Sequence, residues 1–285
     1  MRATGRTYAC SEFVRLRRMP YFERPGARLY YEVAGAGPPL VFAHGLGGNH
    51  MSWWQQVPAF RDRYTCVTFA HRGFAPSTED AGGPGALAFA ADLAALLDHL
   101  RLEQVRLVAQ SMGGWTCLSF ALAHPTRVKA LVMCDTTGTL AHPEFPAIWA
   151  ARPGGREQGL FERGIHPAGG ERMAEEQPAL HFLYWEINNL AAGVDKDALR
   201  FELGAMRDTP VEALAALSMP ILGMAGDEDI VIPPEAVRLL CVAVPNGRFV
   251  SVPRAGHSVY FERAAEFNRI VGGFLDEIDG PGGEA

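Results

Sequence analysis

The chain has 285 residues, of which 48% are hydrophobic and 20% charged, so it contains enough apolar side chains to bury the core of one large domain. Its formal net charge is −6, from 26 basic and 32 acidic residues, which argues against a nucleic-acid-binding surface. Five cysteines without a C-x-x-C pair, and the absence of an H-E-x-x-H motif, argue against a zinc site.

The first eighteen residues differ from the rest, because they carry five arginines against one glutamate and no apolar stretch of signal-peptide length. We expect residues 1–18 to be a disordered extension ahead of a domain that begins at Met19, and residues 281–285 to be a short tail. No apolar run reaches the roughly 20 residues that span a bilayer. We therefore expect a cytoplasmic, bacterial-type protein that contacts no membrane.

Strand and helix signals alternate from residue 29 onward. Short apolar runs predict strands, and apolar residues at helical spacing predict helices. This alternation predicts the α/β class, with a mostly parallel central sheet covered by helices on both faces. The predicted strands are 29–33, 40–43, 64–70, 105–109, 128–134, 221–225 and 248–252, and the predicted helices are 86–101, 113–124, 234–243 and 262–278.

The alternation stops near residue 137 and resumes near residue 220. The intervening segment reads as short helices broken by prolines and glycines, and its aromatic side chains can bury surface of their own. We therefore expect an α/β core formed by residues 19–136 and 216–280, with a helical cap, residues 137–215, inserted after the sixth strand.

A serine, Ser111, lies between a predicted strand and a predicted helix, and small residues, Ala109 and Gly113, stand two positions away on either side. A sharp strand-to-helix turn strains the serine backbone and excludes bulky side chains at those two positions. Such a turn exposes the hydroxyl and brings the N–H of Met112 beside it as a donor to an anion. Taken alone, the pattern also fits an ordinary tight turn.

Three further motifs follow predicted strands. The run HGLGG at 44–48 could offer a second N–H donor, Asp229 lies in an acidic turn, and His257 lies in a loop. Each alone fits a plain turn or surface loop. The carboxyl ends of parallel strands meet at one edge of a sheet, so Ser111, Asp229 and His257 can come together there. Their order along the chain is nucleophile, acid, base.

Together these motifs resemble the α/β-hydrolase fold superfamily, in the branch that carries a helical cap, from residue 21 to about residue 278. Within it the chain is most similar to 3-oxoadipate enol-lactonase-like and small carboxylesterase members. Two positions depart from the usual pattern: Ala109 stands where Gly is usual, and Ala70 stands where Asp is usual, two residues before Arg72. The resemblance is carried by HGLGG at 44–48, HRGFAPS at 71–77, QSMGG at 110–114, GDED at 226–229 and GHSVYFE at 256–262.

The resemblance implies that Ser111 attacks an acyl carbon while His257 takes its proton and Asp229 orients the imidazole. It also implies an oxyanion hole formed by the N–H groups of Leu46 and Met112, and it calls for no metal or organic cofactor. Two other acids stay open. Asp227 fits if the turn is shifted, and Asp135 stands where some relatives carry the acid.

A serine rather than an aspartate at the turn argues against haloalkane dehalogenases and epoxide hydrolases. We predict a hydrolase of small, fairly apolar carboxylic esters or lactones. A C–C or amide hydrolase, a cofactor-free oxygenase and a low-turnover small-molecule binding protein stay as alternatives, and a homodimer is left open. Aromatic residues that could line the pocket, or simply pack between cap and core, are Trp53, Trp54, Trp149, Tyr184 and Trp185.

Overall fold

The computed structural model describes residues 20–152 and 154–280. The extension expected at 1–18 and the tail expected at 281–285 lie outside the described residues. Within those two described ranges, no helix is both long and apolar enough to cross a membrane.

Strands and helices alternate along the described chain. The strands are β1 (Tyr21–Arg24), β2 (Ala27–Ala34), β3 (Pro39–Ala43), β4 (Thr65–Phe69), β5 (Thr78–Glu79), β6 (Val105–Gln110), β7 (Val128–Cys134), β8 (Leu140–Ala141), β9 (Thr209–Pro210), β10 (Ile221–Gly226) and β11 (Gly247–Val252). The α-helices are α1 (Gln56–Phe60), α2 (Phe89–His99), α3 (Gly113–Ala123), α4 (Phe145–Ala150), α5 (Arg156–Glu162), α6 (Gly170–Glu176), α7 (Pro178–Asn189), α8 (Lys196–Ala205), α9 (Pro234–Ala243), α10 (Val259–Glu262) and α11 (Ala264–Asp279).

The central sheet has the order β1-β2-β4-β3-β6-β7-β10-β11, with β5 paired to β2. The pairs of β2 with β1 and β4 are antiparallel. The six strands β4, β3, β6, β7, β10 and β11, in their order across the sheet, are parallel. Successive residues of β3 face opposite sides: Val41 packs in the core on the α2, α3 and α9 side, whereas Phe42 packs on the α11 side. Helices therefore cover both faces of a mostly parallel sheet, which confirms the predicted class.

The described residues between β7 and β10 form five α-helices, α4 to α8, which we call the cap helices, and one 3₁₀ helix, Val211–Ala216. Where this segment leaves and rejoins the core, β8 and β9 pair in parallel, and the Thr209 N–H donates to Thr139 O at 3.0 Å. Without the two-residue β5, β7 is the sixth strand of the central sheet in chain order. The division into core and cap at 137–215 stays a proposal.

Two predicted helices differ from those in the structure. The helix expected over 86–101 starts with a 3₁₀ turn, Gly85–Ala88, and its α-helical part ends at His99. The helix expected over 262–278 is interrupted at Arg263, whose φ of −127° and ψ of 44° are not helical. The Arg263 guanidinium donates to Arg254 O at 2.6 Å, across the loop that carries His257.

The loop after β4 contains a buried ion pair where the usual aspartate is replaced by Ala70. Arg72 donates from Nε to Asp92 Oδ2 at 2.6 Å and from Nη2 to Oδ1 at 2.7 Å, and both side chains are buried. Glu79 accepts a further bond from Arg72 at 3.2 Å, and Arg24 donates to Asp92 at 2.9 Å. An acid from α2 therefore anchors this loop in place of one from the loop itself.

Candidate active site

Ser111 lies in the turn between β6 and α3. Its φ of 47° is in the left-handed region, which residues other than glycine rarely adopt. A Cβ on Gly113 would lie 2.2 Å from the backbone oxygen of Ala43, so only glycine fits where α3 begins. Ala109 is fully buried in β6, where its methyl group takes the place of the usual glycine. The backbone strain and the small neighbours expected from the sequence are therefore both present.

His257 connects the predicted nucleophile to the predicted acid. Its Nε2 lies 2.9 Å from Ser111 Oγ, and its Nδ1 lies 2.8 Å from Asp229 Oδ2. The other oxygen of Asp229 accepts the N–H groups of Val231 at 2.7 Å and Ile232 at 3.0 Å. A carboxylate oxygen can only accept, so Nδ1 of His257 carries the hydrogen and Nε2 is free to accept from the Ser111 hydroxyl.

The pKa of His257 is raised above its ordinary value. Burial lowers the pKa, but the charge of Asp229 and its hydrogen bond act in the opposite direction and outweigh burial. The arrangement therefore favours the imidazolium that forms when a serine hydroxyl gives up its proton.

Two residues near Ser111, Leu46 and Met112, have backbone N–H groups that are available as hydrogen-bond donors. Leu46 follows β3 in the glycine-rich turn, and Met112 precedes the first turn of α3. Among the hydrogen bonds of residues 20–152 and 154–280, neither N–H donates to a protein acceptor. Free donors at this place are suited to bind an oxyanion.

The glycine-rich turn is held by a chain of neutral histidines. His44 Nδ1 lies 2.8 Å from Gly45 O, which can only accept, so His44 Nε2 accepts both the backbone N–H of His71 at 3.0 Å and its Nδ1–H at 2.9 Å. His71 Nε2 then accepts from Thr116 Oγ1, on α3, at 2.8 Å. Burial lowers the pKa of His44 to about 3 and also lowers that of His71. This series of hydrogen bonds connects the turn that contains Leu46 to α3, the helix that follows Ser111.

The two alternative acids lie away from the imidazole nitrogens. Asp227 is exposed, and its Oδ1 accepts the N–H of Arg254 at 2.8 Å. Asp135 is fully buried, and its Oδ1 accepts the Gly226 N–H at 3.1 Å. Burial, followed by the nearby charge of Asp229, raises the pKa of Asp135 to about 8.

Two polar side chains that the sequence did not single out support the His257 loop. Gln110, next to the serine, donates from Nε2 to His257 O at 2.8 Å. Glu262 accepts the Gly256 N–H at 2.8 Å, and burial raises the pKa of its carboxyl to about 8. Both stand within motifs quoted above, but nothing in their spacing indicates the backbone groups that they bind.

A cavity of about 80 Å³ lies between Ser111, His257 and the cap helices. The sequence predicted a fairly apolar pocket; in the structure, apolar Phe161, Ala168 and Val231 share the lining with charged and polar side chains. The polar lining side chains that come from the cap helices or the loops between them are Glu157, His166, Tyr184, Asn188, Lys196 and Arg200.

Of the five aromatic residues predicted for the pocket, Tyr184 lines this cavity, and its hydroxyl accepts a bond from Ser258 Oγ at 3.1 Å. Trp149 lines an adjoining open cleft of about 810 Å³. For the other three the prediction is wrong, because none of them lines either cavity. Trp53 is fully buried against Phe42 and Tyr260, Trp54 is exposed beside Phe261, and Trp185 packs on His166 from outside the lining. Each makes the ordinary aromatic packing contacts of its own surroundings.

A sequence model of the alpha/beta hydrolase fold matches residues 38–264. Among curated relatives, a protein whose assigned name is carbamate hydrolase RutD, from Azorhizobium caulinodans, is 29% identical over 280 residues, which cover 92% of this chain and all of the relative.

Solved structures with the same fold include an esterase and a lactone-degrading enzyme. A thermophilic esterase from Thermogutta terrifontis superposes with a TM-score of 0.72 at 25% identity, covering 88% of this chain and 94% of the esterase. Est816, described as an N-acyl homoserine lactone degrading enzyme, superposes with a TM-score of 0.73 at 26% identity, covering 90% of this chain and 100% of Est816.

Proposed function

The chain belongs to the alpha/beta hydrolase fold family, and within that family we propose that it is a serine hydrolase of small carboxylic esters or lactones. The observation that carries the proposal is the hydrogen-bonded series from Ser111 Oγ through His257 to Asp229, with distances of 2.9 and 2.8 Å. In such a series the imidazole can accept the hydroxyl proton while the acid stabilises its charge.

The proposed reaction has two acyl-transfer steps. Ser111 Oγ attacks the acyl carbon as His257 Nε2 takes its proton, and the N–H groups of Leu46 and Met112 hold the oxyanion. His257 then protonates the leaving alkoxide, and the C–O bond breaks to leave an acyl-enzyme. Water, deprotonated by the same Nε2, attacks the acyl-enzyme and regenerates the serine.

The names of the relatives support acyl transfer but differ in the bond that is cleaved. One solved structure is described as an esterase, another as a lactone-degrading enzyme, and a curated relative is assigned to carbamates. All three bonds have an acyl carbon joined to an electronegative leaving atom, so one serine mechanism serves them all. We place esters and lactones first because their leaving group is an alkoxide, which a single proton from His257 neutralises.

The first experiment is to incubate the protein with a fluorophosphonate probe and to map the adduct by mass spectrometry. The same protein and Ser111→Ala are assayed on short and medium acyl p-nitrophenyl esters, on lactones and on a carbamate. We expect labelling at Ser111 and turnover that is lost in Ser111→Ala. Labelling without turnover of any ester or lactone would contradict the proposed bond. An absence of labelling would contradict the serine mechanism and favour a binding protein.

A further inference from the structure

Lys196, at the start of α8, places an unpaired ammonium group in the lining of the catalytic cavity. Its Nζ donates to Asn188 Oδ1 at 2.6 Å and to Asn188 O at 3.1 Å, and within residues 20–152 and 154–280 it forms no ion pair with a carboxylate. Partial burial lowers the pKa of Lys196. An ammonium taken from water without a counter-ion is unfavourable, so its position calls for a partner.

Asn188 brings this ammonium close to the proposed oxyanion hole. A Cβ built on Gly47, the residue after Leu46, would lie 3.3 Å from Asn188 Oδ1, the same oxygen that accepts from Lys196 Nζ. An ammonium has three hydrogens to donate, and Asn188 accepts two of them. One hydrogen is left to donate, and Lys196 lines the cavity.

The other charged side chains of the lining have their own partners. Glu157 accepts from Arg152 at 2.5 Å, and Arg200, one turn after Lys196, donates to Asp197 at 2.6 Å. Of these three charged side chains, Lys196 is the one that has no partner of opposite charge within the described residues. A bound anion therefore meets an ammonium that does not already hold an acid.

We propose that the substrate carries a carboxylate that binds the Lys196 ammonium while its ester or lactone carbonyl lies at Ser111. This inference rests on the proposed function and narrows it to acidic esters or lactones. A singly charged carboxylate matches one ammonium with one unused hydrogen, and a charge-assisted bond in this cavity is strong enough to select the substrate. Lys196 then acts as a specificity-determining residue, away from the reacting atoms.

The test compares each acid with its methyl ester, so that the charge changes while the remaining structure is kept. Monomethyl and dimethyl glutarate place the charge on the acyl side, and 4-acetoxybenzoate and its methyl ester place it on the alcohol side. We expect kcat/KM of the wild-type protein to favour the acid in at least one pair. In that pair, Lys196→Met lowers kcat/KM for the acid about 10- to 100-fold, mostly through KM, and changes that of the neutral ester less than about twofold.

Lys196→Arg serves as the conservative variant and is expected to restore part of the preference. The matched control is Lys129→Met, because Lys129 is the only other lysine of the sequence and is exposed on β7. It should leave both substrates of every pair unchanged. Equal losses for acid and neutral ester in Lys196→Met, or no loss for either, would overturn the assignment.

Binding to Ser111→Ala, measured by isothermal titration calorimetry, gives a second readout that needs no turnover. We expect monomethyl glutarate or 4-acetoxybenzoate to bind this variant about 10- to 100-fold more weakly when Lys196→Met is added, and the neutral diesters to bind equally. Charge-dependent binding without hydrolysis would support the subsite while contradicting the proposed function. Hydrolysis and Ser111 labelling without charge dependence would contradict the subsite alone.

Discussion

The Asp135 carboxylate accepts a hydrogen bond from the Gly226 N–H at 3.1 Å, at the start of the turn that presents Asp229. The other oxygen of Asp135 lies 3.3 Å from the N–H of Val259, two residues after His257. One buried side chain therefore contacts both loops that carry the proposed acid and base. Its place in the structure is that of a support for the two loops, although it follows β7 where a catalytic acid could also stand.

The acid of the triad is tested by two matched substitutions. Asp229→Asn should lower kcat about 10³- to 10⁴-fold, because an amide cannot hold the imidazole in the required tautomer or stabilise its charge. Asp135→Asn should lower kcat less than about tenfold, since Asp135 contacts the backbone of the two loops and not the imidazole, and Asn keeps the shape and one acceptor oxygen. Steady-state kinetics on an ester, with circular dichroism of each variant, measure this. The reverse order of effects would assign the acid to Asp135.

The pH dependence of the serine follows from the raised pKa of His257. His257 must be neutral to accept the Ser111 proton, so the rate of fluorophosphonate labelling should fall below a midpoint that lies above pH 6.5. In Asp229→Asn the two largest effects that raise the pKa of His257 are lost, so burial is opposed by the smaller effects of Asp135 and Glu157 alone, and the midpoint should move to lower pH. Labelling rates from pH 5 to 9 for both proteins measure the shift. An unchanged or higher midpoint in the variant would contradict the coupling of these two residues.

The sequence was sufficient for seven of the nine described strands of the central sheet and for the residues placed at its edge, because each motif follows an apolar strand and parallel strands end on the same side. It missed β1 and β5, which are short and lie at or near the antiparallel edge. It was not sufficient for the cavity. Trp53 packs in the core and Lys196 lines the cavity, but an isolated tryptophan or lysine has no periodicity that tells which face it will present. The anchor of Arg72 was also missed, since Asp92 lies twenty residues further along and contacts it only after α2 has packed.

The tight turn after the serine predicts that Gly113→Ala is damaging. The new methyl group would meet backbone atoms of Ala43 at 2.2 Å, so α3 or β3 must move, at a cost of about 1–3 kcal/mol in stability. Movement of α3 also displaces the N–H of Met112, and labelling of Ser111 should slow. Gly273→Ala is the control, because Gly273 is exposed in α11 with no atom within 4 Å of the added Cβ. There alanine should stabilise by about 0.5–1 kcal/mol, and urea unfolding measures both variants.

The buried pair of Arg72 and Asp92 predicts a large loss of stability in Asp92→Asn. The substitution keeps the shape but leaves the guanidinium, whose side chain is 2% exposed, without the two charged oxygens that now face it. Removal of one partner from such a pair costs about 3–5 kcal/mol, and the remaining contact to Glu79 places the expected value near the lower end. Glu277→Gln removes an ion pair to Arg248 in which both side chains are more than half exposed, and it should not change the urea midpoint measurably. If the two variants were equally stable, Asp92 would not be the anchor that replaces the missing aspartate at position 70.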